Sequence, residues 1–189
     1  MIVTLSGVTG TGKSFFKNVI SQELNFKNLV IVTTRNKRTG EINGVDKEFV
    51  SEEEFERLKK ENKIVVDFEF LGSKYAYKKS DLDSNINQVT EVHYSTIYEF
   101  KKNTKNVFAI YMIPQNLDRA KEELRKRNLP KEVEQKRLKE IDEHINEYKQ
   151  NKELQKQFDY VFINDSEKAK NDLLKIIEKR EAEQWEKKL

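Results

Sequence analysis

The segment Gly7-Val8-Thr9-Gly10-Thr11-Gly12-Lys13-Ser14 puts three glycines, a lysine and a hydroxyl residue within eight positions. Glycines at this spacing let the backbone curl with its N–H groups turned toward one centre, and such a nest binds phosphate. A helix starting at Lys13 adds partial positive charge, its amine can reach the β- and γ-phosphates of a nucleoside triphosphate, and the Ser14 hydroxyl is suited to Mg²⁺, which leaves GTPase, ATPase and kinase open. A second group, Thr33-Thr34-Arg35-Asn36-Lys37-Arg38, carries two guanidinium groups three residues apart. With Tyr75 nearby they can hold a second phosphate by bidentate hydrogen bonds, facing the first.

Both groups need a frame to bring them together. Short apolar runs predict strands over residues 1–6, 29–34, 91–95, 107–113 and 160–163. Those at 2–5, 29–32 and 107–111 are nearly continuous, as expected of strands covered on both faces. Helical spacing of Phe16, Val19, Ile20 and Leu24, and of Leu117, Ala120 and Leu124, fills the intervals. Alternating strands and helices predict an α/β domain with a largely parallel sheet, which puts the two phosphate groups on one edge.

Two stretches interrupt the alternation. In residues 33–82, Ser51-Glu52-Glu53-Glu54 predicts a capping box: Ser51 accepts from the Glu54 amide, and the Glu54 carboxylate reaches back. Residues 125–152 are dense in charge, with Leu138, Ile141 and Ile145 at helical spacing, and predict a solvated helical hairpin. The tail, 167–189, predicts an amphipathic helix with Trp185 as a candidate contact; oligomeric state is not readable.

Composition narrows the classes. The 189 residues carry 36 Lys+Arg against 33 Asp+Glu, a net charge of +3 that forms no basic stripe and argues against nucleic-acid binding. The chain contains no cysteine and only His93 and His144, which excludes disulfides and thiolate chemistry and disfavours a structural metal site. No apolar stretch approaches the roughly 18 residues of a membrane span, and the N-terminus lacks a basic leader, so a soluble cytoplasmic protein is expected.

Taken together, these residues resemble the guanylate kinase family of P-loop nucleoside monophosphate kinases. The likeness runs from Gly7–Ser14 through Thr33-Thr34-Arg35, Arg38-x-Gly40-Glu41-x-Asn43-Gly44-x-Asp46, Phe49-Val50-Ser51-x-Glu53-Glu54-Phe55 and Gly72-x-x-Tyr75. It continues more weakly through Ile113-Pro114, Leu124-Arg125-Lys126-Arg127-Asn128, Lys136-Arg137-Leu138 and Ile163-Asn164-Asp165. The resemblance implies a P-loop NTPase-type three-layer core with a parallel five-stranded sheet, formed by residues 1–32, 83–124 and 153–189. It makes residues 33–82 a monophosphate-binding domain and 125–152 a lid that swings inward over the substrates.

By the same resemblance, Arg35, Arg38 and Tyr75 grip the acceptor's phosphate, Glu41 orients them, and Lys47 stands where the family has a second tyrosine. Arg127 and Arg137 match lid arginines that close on the transferring phosphoryl group. The implied reaction moves the γ-phosphoryl of Mg²⁺-bound ATP to GMP or dGMP. The positions where the family reads guanine instead hold Ile31, Val66, Tyr77 and His93, with Asp67 replacing Val66 if the register slips by one and Glu91 keeping acidity nearby. Ile31, Val66 and His93 also read as ordinary core residues of strands. The substitutions leave open another nucleotide or phosphorylated acceptor. A catalytically silent binding module, known from similar domains, is disfavoured by the intact Lys13 and Ser14.

Overall fold

A computed structural model describes residues 1–83, 85–164 and 168–186. The first half runs β1 (Ile2–Gly7), α1 (Lys13–Glu23), β2 (Lys27–Asn28), β3 (Ile31–Thr33), β4 (Glu48–Phe49), α2 (Glu52–Lys60), β5 (Ile64–Phe70) and β6 (Ser73–Lys78). The second runs β7 (Gln88–Glu91), α3 (Ile97–Asn103), β8 (Val107–Pro114), α4 (Leu117–Arg125), α5 (Lys131–Gln150), α6 (Lys152–Gln155), β9 (Tyr160–Asn164) and α7 (Ala169–Glu186).

Five strands form a parallel sheet in the order β2-β7-β1-β8-β9, with β1 between β7 and β8. Alternation along β1 explains why its run is nearly all apolar. Val3 and Leu5 pack with Phe16 and Ile20 of α1 and Leu173 and Ile177 of α7, while Ile2 turns to the opposite face with Ile97 and Phe100 of α3. Both faces are thus covered by helices, the three-layer arrangement expected of an α/β core.

The second sheet, β4-β3-β6-β5, is mixed. Here the apolar run 29–34 departs from expectation. Leu29 still donates to the Val89 carbonyl beside β7, but Ile31–Thr33 pairs antiparallel with β6 and parallel with β4. A continuous apolar run reports burial on two faces, not which strands supply its neighbours. The run expected at 91–95 is also displaced, because the strand is Gln88–Glu91 and the chain then enters a tight turn in which Thr96 N donates to His93 O. Gln88 hides a polar side chain in the sheet by donating to Asp81 O and accepting from Asp83 N.

Residues 125–152 do not form a hairpin. A turn through Asn128, which takes a positive φ of 49°, leads to Pro130 and the single 20-residue helix α5. Its second half is anchored: Ile141 and Ile145 pack with Val8 and Leu124, and Tyr148 stacks on Tyr111 with ring centroids 3.7 Å apart. At α2 the Ser51 hydroxyl accepts from the Glu54 amide as expected, but the Glu54 carboxylate pairs with Arg57 instead of reaching back. α7 covers most of the expected tail helix, while the Trp185 side chain, Asp165 and residues 187–189 lie outside the described residues. No helix among the described residues is long and apolar enough to cross a membrane.

Candidate active site

The phosphate loop joins β1 to α1 by a path only glycine fits. Gly7 and Gly10 take φ values of 135° and 88°, and a Cβ on them would meet the carbonyl oxygens of Met112 and Ala120 at 2.3 and 2.6 Å. The Thr11 hydroxyl donates to Val8 O, and Asn164 of β9 donates its amide to Thr11 O. Val8 and Thr11 are buried and brace the loop, with Val8 tying it to α4 and α5.

Lys13 folds back over this loop, donating to the carbonyls of Gly7 at 2.9 Å and Val8 at 2.8 Å. Burial lowers its pKa to about 8, with Glu91 opposing the shift and Arg127 adding to it. The Ser14 hydroxyl donates to Glu91 Oε1 at 2.8 Å. Burial alone would raise Glu91, but Lys13, Lys47 and Lys17 hold its carboxyl below the usual range.

Across a cavity of about 420 Å³ stand the arginines of the second group. Glu41 accepts two hydrogen bonds from Arg35 Nη2, at 2.7 and 2.9 Å, and one from the Arg38 backbone. These hold its carboxyl low against the opposing effect of burial. Arg35 also lies over the Phe49 ring. Arg127, in the turn after α4, and Arg137, on α5, border the same cavity. Both Arg38 and Arg137 are pushed down from the usual guanidinium range by burial first and by neighbouring arginines next. Arg137 Nε is buried with no hydrogen-bond partner among the described residues. In this conformation Arg127 and Arg137 border the same cavity as Gly7, Gly10 and Lys13.

Lys47, Tyr75, Ile31, Glu91 and His93 line the cavity too. Three of the expected base-region residues do not. Val66 is buried in the core beside Ile31 and Tyr77, and Tyr77 is buried with its hydroxyl donating to Glu91 O. Asp67 is exposed and pairs with Lys59, outside the cavity lining. The cause is a bulge between Val65 and Phe68, where Val66 takes a φ of 54°. It turns Val65 and Val66 to the same side and sets Phe68 and Phe70 on the cavity wall. Phe68, Phe70, His144, Phe15 and Val92 were not legible as site residues. Only the alternation of Phe68 and Phe70 along β5 was available as a signal, and it equally fits core.

A glycine loop opening a lysine-bearing helix faces four arginines across one cavity, an arrangement suited to anionic ligands. The guanylate kinase family model matches residues 1–180. The chain belongs to the guanylate kinase family. Among similar proteins, the guanylate kinase of Rickettsia prowazekii (strain Madrid E) is 31% identical over 175 residues, covering 87% of this chain and 83% of the relative. That of Rickettsia typhi (strain ATCC VR-144 / Wilmington) is 30% identical over 170 residues, with the same coverage of 87% and 83%. The crystal structure of guanylate kinase from Anaplasma phagocytophilum superposes with a TM-score of 0.70 at 25% identity, over 94% of this chain and 84% of that one. In this guanylate kinase family member, strand–loop–helix context and parallel sheet agree with the P-loop core of its relatives.

Proposed function

We propose that the chain is an ATP-dependent nucleoside monophosphate kinase, with GMP or dGMP among its acceptors as the names of its relatives suggest. The observation that carries this reading is the convergence of Lys13, Arg35, Arg38, Arg127 and Arg137 on one cavity lined by only two carboxylates, Glu41 and Glu91, among the described residues. Such a cluster is self-repelling until phosphates neutralise it.

In this reading the loop from Gly7 to Ser14 cradles the ATP phosphates, and Lys13 leaves its own carbonyls to meet the β- and γ-phosphates. Ser14 and Glu91 present two hard oxygens in contact with one another, a donor pair that fits Mg²⁺ when water and substrate phosphates complete its shell. No group of three His, Cys, Asp or Glu suited to a resident metal occurs among the described residues. When bound, Mg²⁺ neutralises charge developing on the phosphoryl oxygens. Arg35, Arg38, Lys47 and Tyr75 hold the acceptor's phosphate with an oxygen in line with the γ-phosphorus, and Glu41 fixes the arginines. That oxygen bonds to the phosphorus as the bridging β–γ bond breaks, while Arg127 and Arg137 neutralise the equatorial oxygens. No general base is needed, because the acceptor is already an anion at neutral pH.

A coupled assay with ATP, Mg²⁺ and each common nucleoside monophosphate tests the reading. ADP formation dependent on a monophosphate is expected, and it should fall by about a hundredfold or more in Lys13→Ala. Absence of turnover with every monophosphate would overturn the proposal. Unchanged ATP binding in Lys13→Ala would favour a silent binding module instead.

A further inference from the structure

Next to the acceptor-phosphate arginines, the cavity wall is made of rings. Phe68 stacks on Tyr75 at 5.2 Å with only 16° between planes, and His93 lies 5.5 Å from Phe68 and 5.1 Å from Phe70. His144 of α5 meets His93 edge-on from the lid side, and Ile31 borders the same space. A planar heterocycle attached to a phosphate held by Arg38 would lie against this ring wall from the cavity side.

What this wall lacks is equally specific. Guanine presents two adjacent hydrogen-bond donors on its pairing edge, the ring N–H and the exocyclic amine, and a site selecting it needs acceptors for both. Only two carboxylates, Glu41 and Glu91, line the cavity, and no side-chain amide does, among the described residues. Glu41 already accepts three hydrogen bonds from Arg35 and the Arg38 amide, and Glu91 accepts one from the Ser14 hydroxyl and is drawn on by Lys13, Lys47 and Lys17. The Tyr77 hydroxyl is spent on the Glu91 carbonyl.

Among the described residues, one buried ring nitrogen on this wall lacks a hydrogen-bond partner. It is His93 Nε2, while Nδ1 pairs with the Ser95 hydroxyl at 2.8 Å. A hydroxyl rotates to donate or accept, so Ser95 satisfies either tautomer of the ring, and Nε2 can offer an N–H to one base or a lone pair to another. Burial keeps this ring neutral, lowering its pKa to about 4.

We propose that this aromatic compartment holds the acceptor's base by stacking and by one adaptable hydrogen bond to His93 Nε2, so that the enzyme accepts nucleoside monophosphates of several bases instead of selecting guanine. The inference rests on the phosphotransfer reading above. A site built from paired polar groups discriminates by about 10⁴-fold or more, whereas apolar walls give about 10- to 200-fold.

The decisive measurement is kcat/KM for GMP, AMP, CMP, UMP and dTMP with saturating ATP and Mg²⁺, beside the affinity of each monophosphate by calorimetry. The best and at least two other bases should lie within about thirtyfold of one another, in affinity as in turnover. A preference for GMP beyond about thirtyfold in both would overturn the inference and leave the kinase reading standing. Comparable binding of several bases without transfer to any would overturn the kinase reading alone. His93→Phe keeps the ring and removes Nε2. It should raise the acceptor KM about three- to tenfold while leaving kcat and the ATP KM within about twofold. Phe68→Ala should raise the acceptor KM by about tenfold for purines and pyrimidines alike. Loss of kcat without change in acceptor KM in both variants would count against the assignment.

Discussion

Lys13 illustrates how a single side chain carries a conflict that a ligand resolves. Burial, aided by Arg127 and opposed by Glu91, lowers the pKa of its ammonium to about 8, and the ammonium donates to its own loop's carbonyls. A bound polyphosphate supplies the opposite charge and drives the pKa back up, so the free protein takes up a proton when nucleotide binds above pH 8. By linkage, affinity for ATP should be flat below pH 7 and about tenfold weaker at pH 9. Calorimetric titration across this range checks it, with Lys13→Met expected to bind weakly and without that slope. The same slope in both proteins would assign the titration to another group. Residues of this kind were legible in sequence, because a loop's phosphate chemistry depends on types and spacing within eight positions. His144 was not, since nothing local to α5 says which turn meets His93.

At the scale of elements, α5 decides where Arg137 can sit. Charge density alone reads as a solvated hairpin, yet Ile141, Ile145 and Tyr148 are buried and fasten half of the helix to the core. Tyr94 donates to Glu147 at 2.5 Å, and Tyr148 lies parallel to Tyr111 within 6°. Removing that ring leaves a cavity and loses the stack, so Tyr148→Ala should cost about 3 kcal/mol in denaturant unfolding. Arg137 lies on the same helix and its position depends on this anchor, so kcat should fall as well. A loss under about 1 kcal/mol would mean that the helix is not held there. The bulge in β5 is the other deciding element. A strand pattern announces alternation, but the doubled residue that turns both Val65 and Val66 inward is chosen by pairing with β6.

Across the whole molecule, the arginines join three separate parts: the second sheet's margin, the turn after α4 and α5. Without an anion they repel, and burial first and neighbouring guanidinium groups next push Arg38 and Arg137 down from the usual guanidinium range. With two phosphate chains between them the same charges draw the parts together and exclude water. Small-angle scattering should therefore show a smaller radius of gyration on adding a bisubstrate analogue, with the contraction already partial in inorganic phosphate. An unchanged radius would mean that the parts are held together without ligand. The polar composition, 37% charged residues, also finds its place at this scale. One five-stranded core is served by a few apolar runs, and much of the remaining chain forms α2, the second sheet's loops and the outer face of α5.

The sequence by itself determined the phosphate loop, the arginine group, the parallel α/β core and the family, because each is written in local types, spacings and alternating periods. It also named most of the cavity's polar residues. Tertiary structure alone decided that residues 29–33 divide between two sheets, that Val66 lies in the core and Asp67 outside, and that Phe68, Phe70, His93 and His144 wall one compartment. The physical reason is common to all three. Burial and alternation say that a side chain is covered, whereas which partner covers it is settled by long-range packing, where core and binding site use the same apolar residues.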